Sequence, residues 1–183
     1  MIVGLTDKVI LVTGAASGIG AAIAEAAAEA GAMGLLLADK DAAGLARMRE
    51  RLPAEIVHTC VADLADRAAP KRIAEAAIAA FGRIDGLVNA AGLTTRGGVR
   101  DGSHLSDRIR VNGINLGWVN TPHEHQMQSV TMARGEAWAE EAAARLPLGH
   151  LITAEDAARL ATYLLSDASA PMTGLALDLE QHV

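Results

Sequence analysis

Short apolar runs alternate with longer segments in which apolar residues recur at helical spacing. The apolar runs lie at 9–12, 35–38, 55–61 and 84–88, and the helical segments between them lie at 19–30, 41–51 and 66–81. A continuous apolar run is typical of a strand covered on both faces of a parallel sheet. Strict alternation of such strands with helices predicts a doubly wound α/β fold with three layers, αβα, in one domain over 1–183.

The first predicted strand runs directly into a glycine-rich turn and then a helix. Five residues of this turn are candidate ligands of a phosphate group: Gly14, Ser17, Gly18, Ile19 and Gly20. Glycines let the backbone approach a ligand closely, and a helix N-terminus attracts phosphate through unpaired N–H groups and its positive dipole end. The turn therefore predicts a seat for a dinucleotide pyrophosphate. The alternative is a glycine-rich connection that binds no ligand.

An acidic residue, Asp39, ends the second predicted strand. A carboxylate there can accept hydrogen bonds from the adenosine ribose and would repel a 2′-phosphate, which favours NAD over NADP. Lys40 beside it weakens that inference, since a cation could serve a phosphate. The alternative role for Asp39 is to cap the next helix, which Asp41 could do instead.

Composition excludes several classes of protein. Hydrophobic residues make up 51% of the 183 residues, only 2% are aromatic, and the formal net charge is -6 with scattered arginines, so we expect no nucleic-acid partner. Cys60 is the single cysteine, so no intramolecular disulfide can form, and its expected role is that of a small apolar residue. With neither a membrane-length apolar run nor a leader pattern, we expect a cytoplasmic protein that does not bind membranes.

Further motifs stand at the ends of the predicted strands. Asp63 and Leu64 follow the third strand, and Asn89, Ala90, Ala91 and Gly92 follow the fourth. With Thr13-Gly14-x-x-x-Gly18-x-Gly20, the chain resembles the classical short-chain dehydrogenases/reductases. The resemblance implies a Rossmann-like fold, with Asp63 and Leu64 near the adenine ring and Asn89, Ala90 and Gly92 at the cofactor. It also implies hydride exchange between NAD(P) and a small alcohol or ketone, in a homo-oligomer.

The resemblance continues to the end of the chain. Residues 109–122 look like the family's sixth strand and its Pro-Gly loop, with Leu116 in place of the proline and Gly117, Val119 and Thr121 at cofactor positions. Residues 123–145 would form the substrate-binding segment, largely helical from Gly135. Residues 153–167 resemble the last long helix, which Thr153 and Asp156 would begin as a near capping box, and 172–178 resemble the closing strand.

The catalytic motif of the family does not occur in these 183 residues. The family uses a serine and a Tyr-x-x-x-Lys pair, whose lysine lowers the pKa of the tyrosine that acts as general acid/base. Tyr163 is the only tyrosine, and Asp167 stands four residues after it. Lys8, Lys40 and Lys71 are the only lysines. We therefore assign no catalytic residue and expect Tyr163 to serve packing.

A helix-strand-helix segment of roughly sixty residues would fit between about 97 and 109. Either the polypeptide lacks this segment or the 183 residues run continuously across an omitted stretch. A chain that truly lacks it would be a non-catalytic dinucleotide-binding remnant or an interaction protein of the same fold.

Two charged clusters in the second half call for simpler interpretations. His123-Glu124-His125 has no third ligand nearby, so we expect no metal site. The glutamates at 136, 140 and 141, with Arg145, predict a solvated helix face with an i, i+4 ion pair.

Overall fold

The computed structural model describes residues 3–91 and 109–179. In chain order the elements are β1 Val9–Thr13, α1 Gly18–Glu29, β2 Gly34–Asp39, α2 Ala42–Arg51, β3 Val57–Val61, α3 Ala69–Phe81, β4 Gly86–Asn89, β5 Gly113–Leu116, β6 Val119–Asn120, α4 Pro122–Gln126, α5 Trp138–Ala143, β7 Ile152–Thr153, α6 Ala154–Leu165 and β8 Ala176–Leu179. Within the described ranges, none of the helices is long and apolar enough to cross a membrane.

Four parallel strands form the main sheet in the order β3-β2-β1-β4. Leu11 in β1 stands opposite Leu36 in β2 and Leu87 in β4. β5 pairs with β8, and β6 pairs with β7, as two separate parallel pairs. Because the first four strands run the same way, the loops after them gather at one edge of the sheet, where ligands bind in open α/β folds.

Helices cover the sheet on both faces, which confirms the predicted α/β class. On one face, Ile10 and Leu35 pack in a cluster with Ala24 of α1 and Ala158 of α6. On the other face, Leu36 packs in a cluster with Ile73 and Ala77 of α3. Alanine at these helix positions lets the helices approach the strands and each other closely. Each fully buried leucine of the sheet contributes about 1.5–3 kcal/mol to folding.

Short-range hydrogen bonds set the helix ends. The Asp41 carboxylate accepts a hydrogen bond from the backbone N–H of Gly44 and caps α2. Thr153 and Asp156 form a complete capping box at the start of α6. α3 begins at Ala69 rather than at the predicted 66, because the Asp66 carboxylate accepts from the N–H of Ala68 and forms a turn ahead of the helix.

The segment 123–145 becomes helical earlier than predicted. α4 begins at Pro122, after Thr121 accepts a hydrogen bond from the N–H of Glu124, and it continues into a π-helical turn, Met127–Thr131. Proline is favoured in the first helical turn because its missing N–H would have had no partner there. The expected Glu141–Arg145 ion pair is also not formed, because α5 ends at Ala143.

Candidate functional site

The end of β1 is joined closely to the end of β4. The Thr13 hydroxyl donates to the carbonyl of Val88 and accepts from the N–H of Ala91, both at 3.4 Å. Gly14 has a φ of +68°, and a Cβ there would lie 2.6 Å from the Ala91 nitrogen and 2.8 Å from the Ala90 oxygen. Only glycine therefore fits at this crossing of two backbones.

The following residues open the N-terminus of α1. Ser17 is the N-cap residue, but its exposed side chain does not cap the helix. No acidic residue occupies the first turn. A Cβ at Gly20 would overlap the Gly14 carbonyl, so this turn closes only with glycine. The positive end of the helix dipole is left without an acidic side chain, which suits an anionic ligand.

Asp39 is positioned by two backbone N–H groups. One carboxylate oxygen accepts from Ala16 in the glycine turn at 3.1 Å, and the other accepts from Asp41 at 3.0 Å. Since Asp41 caps α2, Asp39 has no capping role. A carboxylate has about four lone-pair sites, so Asp39 retains the capacity to accept from a ligand hydroxyl.

The motifs after β3 and β4 lie along the same edge. The N–H of Ala62 donates to the carbonyl of Asp39 at 2.9 Å. Asp63 and Leu64 follow Ala62 directly in the chain, so this bond holds them at the same edge as Asp39. Asp63 accepts from the N–H of Ala65, and the Leu64 side chain is exposed. Asn89, the last residue of β4, is exposed, and Ala90 after it is half-buried. Gly92 lies outside the described residues.

The loop between β5 and α4 meets the glycine turn. A Cβ at Gly18, where φ is +57°, would lie 3.6 Å from the Thr121 methyl carbon. The N–H of Gly117 donates to the carbonyl of Leu179 at 3.3 Å. Val119 pairs with Ile152, and its side chain is buried. Ligand contacts at Val119 would therefore come from its backbone.

The described contacts bring the N-terminus of α1, the Asp39 carboxylate and Thr121 together at the carboxyl edge of the sheet. The dipole of α1 is positive at the glycine turn, and a carboxylate ends β2 beside it. The candidate residues Ile19 and Gly20 belong to the first turn of α1, so their contribution is this helix end. Within 3–91 and 109–179, no group of acidic, histidine or cysteine side chains could hold a metal ion.

The Tyr163 hydroxyl, Lys8 and Lys71 each contact other side chains. The Tyr163 hydroxyl lies 3.6 Å from the sulfur of Met172. Lys8 pairs with Asp167 at 3.0 Å, and Lys71 lies 3.7 Å from Glu75. The half-buried Tyr163 in α6 is consistent with the packing role expected from the sequence.

The sequence did not reveal a cavity of about 170 Å³ beside the β5–α4 loop, which we call the tryptophan cavity. It is lined by Trp118, Arg134, Trp138, Glu141, Ala142 and Arg145. The two indole rings meet edge to face, with centroids 6.3 Å apart. The signal that could have pointed to it is that both tryptophans of this aromatic-poor chain lie between 118 and 138.

Two sequence profiles and several curated proteins match the chain. The profile described as short chain dehydrogenase matches residues 8–106, more than half of the chain, and the one described as Enoyl-(Acyl carrier protein) reductase matches 102–180. A short chain dehydrogenase of Emericella variicolor is 45% identical over 117 residues, which cover 61% of this chain and 43% of that protein. D-threitol dehydrogenase of Mycolicibacterium smegmatis is 48% identical over 91 residues, 49% of this chain and 35% of that protein. The chain thus spans less than half the length of these relatives.

Solved structures of other proteins share this fold. L-sorbose reductase of Gluconobacter frateurii, complexed with NADPH and L-sorbose, superposes with a TM-score of 0.83 at 20% identity, covering 99% of this chain and 98% of that one. A 3-ketoacyl-(acyl-carrier-protein) reductase of Brucella melitensis, complexed with NADH, gives 0.78 at 21% identity, covering 96% and 98%. The profile matches, the curated relatives and the order of the glycine turn, Asp39 and the β4 motif agree: the chain belongs to the short-chain dehydrogenase family.

Proposed function

We propose that this chain is the cofactor-binding part of an NAD-preferring oxidoreductase that interconverts an alcohol and a carbonyl. The observation that carries the proposal is the meeting of three elements at the glycine turn. The glycine turn of α1 contacts the end of β4, supports Asp39 through the N–H of Ala16, and lies beside Thr121. Relatives bound to NADPH and to NADH share the fold, and Asp39 is our reason for preferring NAD.

Different residues would contact different parts of the cofactor. The N-terminus of α1, with Gly14, Ser17, Gly18, Ile19 and Gly20, would hold the pyrophosphate. Asp39 would accept from the adenosine ribose, Asp63 and Leu64 would flank the adenine, and Asn89, Ala90, Gly92, Gly117, Val119 and Thr121 would border the nicotinamide half. When bound, the cofactor supplies the hydride chemistry, and the protein supplies orientation and exclusion of water.

The structure supports the inference of a missing helix-strand-helix segment. Among the described residues, β4 is hydrogen-bonded to β1 alone and β5 to β8 alone. Val88 of β4 and Ile114 of β5 nevertheless pack against the same apolar cluster beneath α1 and α6. A strand lying between β4 and β5 would account for two strands that share one helix layer without pairing, and the segment carrying it would supply the catalytic serine, tyrosine and lysine of the family.

The second candidate function is binding of the dinucleotide without turnover. The lack of a Tyr-x-x-x-Lys pair in the 183 residues favours it, because no general acid/base is then available. Intact mass, NADH fluorescence titration and a turnover assay on an alcohol panel separate the candidates. A protein of verified mass near 18.9 kDa is expected to bind NADH without turnover. Turnover by that protein would contradict the second candidate, and failure to bind NADH would contradict both.

The cofactor preference has its own test. In Asp39→Asn the carboxylate charge is lost, and the amide oxygen keeps one of the two backbone N–H bonds that position the side chain. The matched control Asp41→Asn removes the same charge two residues away and keeps an N-cap side chain. We expect Asp39→Asn to raise the affinity for NADPH relative to NADH by about tenfold, as removal of one partly screened like charge warrants. An equal change in Asp41→Asn would show that general charge, rather than a contact at Asp39, sets the preference.

We also propose that the chain self-associates. Among residues 3–91 and 109–179, β4 pairs with β1 alone, and its Leu87 is 54% exposed. If the polypeptide lacks the helix-strand-helix segment, this apolar side chain at the edge of the sheet favours contact with another chain.

A further inference from the structure

We propose that the tryptophan cavity binds a small organic carboxylate with a flat apolar body, and that this is the substrate class of the protein. The assignment of substrate rests on the proposed oxidoreductase function, while the binding itself does not. Trp118 connects the two proposed sites, since it lines the cavity and stands between Gly117 and Val119, which we propose to border the cofactor.

The cavity wall is built by a chain of contacts. The Trp138 indole N–H donates to Nδ1 of His125 at 3.0 Å. An indole nitrogen can only donate, so Nδ1 carries no proton and Nε2 donates to Glu136 at 2.9 Å. The buried Trp138 is thereby fixed in orientation and supports Trp118 edge to face. A rigid aromatic surface of this kind suits a flat ligand, because little side-chain entropy is lost on binding.

Two guanidinium groups give the cavity its charge. The Arg134 guanidinium lies 5.2 Å from the centroid of the Trp118 ring, in a cation–π contact that holds it over the aromatic wall. Neither Arg134 nor Arg145 forms an ion pair with a carboxylate anywhere in 3–91 or 109–179. Glu141 is the acidic residue of the lining, so the cavity carries one net positive charge.

The volume and the lining of the cavity restrict the ligand. About 170 Å³ is small for a ligand site and admits a compact molecule rather than a polymer or a nucleotide. Guanidinium groups bind carboxylates through paired, charge-assisted hydrogen bonds. Arginine beside an aromatic ring therefore favours a carboxylate attached to a planar or branched apolar group, and it disfavours cations.

Intrinsic fluorescence measures this binding directly, because Trp118 and Trp138 are the only two tryptophans of the protein and both line the cavity. The probes are benzoate and its neutral counterpart benzamide, titrated into the full chain without NADH. We expect benzoate to bind at least tenfold more tightly than benzamide. Equal affinity for the two probes, or no binding of benzoate, would overturn the proposal.

Substitutions of the lining residues test whether benzoate binds in the tryptophan cavity. Arg134→Gln and Arg145→Gln should each weaken benzoate binding about threefold to tenfold, as expected for a partly exposed charged contact, and leave benzamide unchanged. Glu141→Gln should strengthen benzoate binding, while the control Arg49→Gln, an exposed position in α2, should change nothing. Benzoate affinity that does not respond to both cavity arginines would reject the site. A separate NADH titration tests the cofactor, so loss of NADH binding with benzoate binding retained would fault the proposed function alone.

Discussion

Substitution of Gly14 by alanine measures how strongly the cofactor turn depends on its contact with β4. Gly14 and Gly82 both have left-handed backbones, with φ of +68° and +76°. Alanine at either position pays the left-handed conformational penalty of about 1 kcal/mol. They differ in their surroundings, because a Cβ at Gly82 meets nothing within 4 Å while one at Gly14 lies 2.6–2.8 Å from the backbone of Ala90 and Ala91.

The clash at Gly14 cannot be relieved by a side-chain rotation, since the atoms it meets are backbone. Forcing such an overlap costs about 1–3 kcal/mol in addition to the conformational term. We therefore expect Gly14→Ala to lower the free energy of unfolding by about 3 kcal/mol, and Gly82→Ala by about 1 kcal/mol. Relief of the clash would also separate the turn from the β4 motif, so NADH affinity should fall at least tenfold in Gly14→Ala and stay unchanged in Gly82→Ala.

Urea denaturation followed by circular dichroism gives the two free energies, and NADH fluorescence titration gives the affinities under conditions where both variants are folded. The close backbone crossing would be refuted if Gly14→Ala and Gly82→Ala lowered the free energy of unfolding by amounts within about 0.5 kcal/mol of each other. Surface substitutions alone produce differences of that size. Unchanged NADH affinity in a folded Gly14→Ala variant would refute the role of the crossing in the cofactor seat.

Four further outcomes are expected. Thr153→Val removes the hydroxyl of the α6 capping box and should destabilise the fold by about 1 kcal/mol in urea, whereas no change would mean that the cap is not formed in solution. The backbone N–H and hydroxyl of Thr153, with Arg159, hold the pKa of Asp156 below its usual value. The stability that the ionised carboxylate contributes is present above the unfolded pKa of about 3.9 and is lost as the pH falls through the lower folded pKa. The stability difference between wild type and Asp156→Asn should therefore shrink in acid, and a pH-independent difference would contradict the linkage. Trp138→Phe leaves Nδ1 of His125 without its donor and should cost about 1–2 kcal/mol in urea unfolding, and a neutral effect would argue against the bond. Leu87→Lys should shift the sedimentation profile toward monomer at equal concentration, and an unchanged profile would exclude β4 from the interface.

Local patterns were enough to place most of the framework. The apolar runs of β1, β2 and β4, the cap at Asp41 and the left-handed glycine after α3 depend on residues close in sequence, so they could be predicted without a fold. The predicted helix bounds are wrong where a local turn competes with the helix, as at Asp66, or where a helix ends early, as before Arg145.

The sequence by itself determined the α/β class, the glycine turn and the carboxylate after the second strand, because periodicity, turn chemistry and capping act over a few residues. Only the tertiary structure decided which of these features meet. The crossing of Gly14 with Ala90 and Ala91, the approach of Thr121 to Gly18 and the tryptophan cavity join residues distant in the chain. Such contacts depend on how strands align and helices pack, and no spacing along the chain encodes them directly.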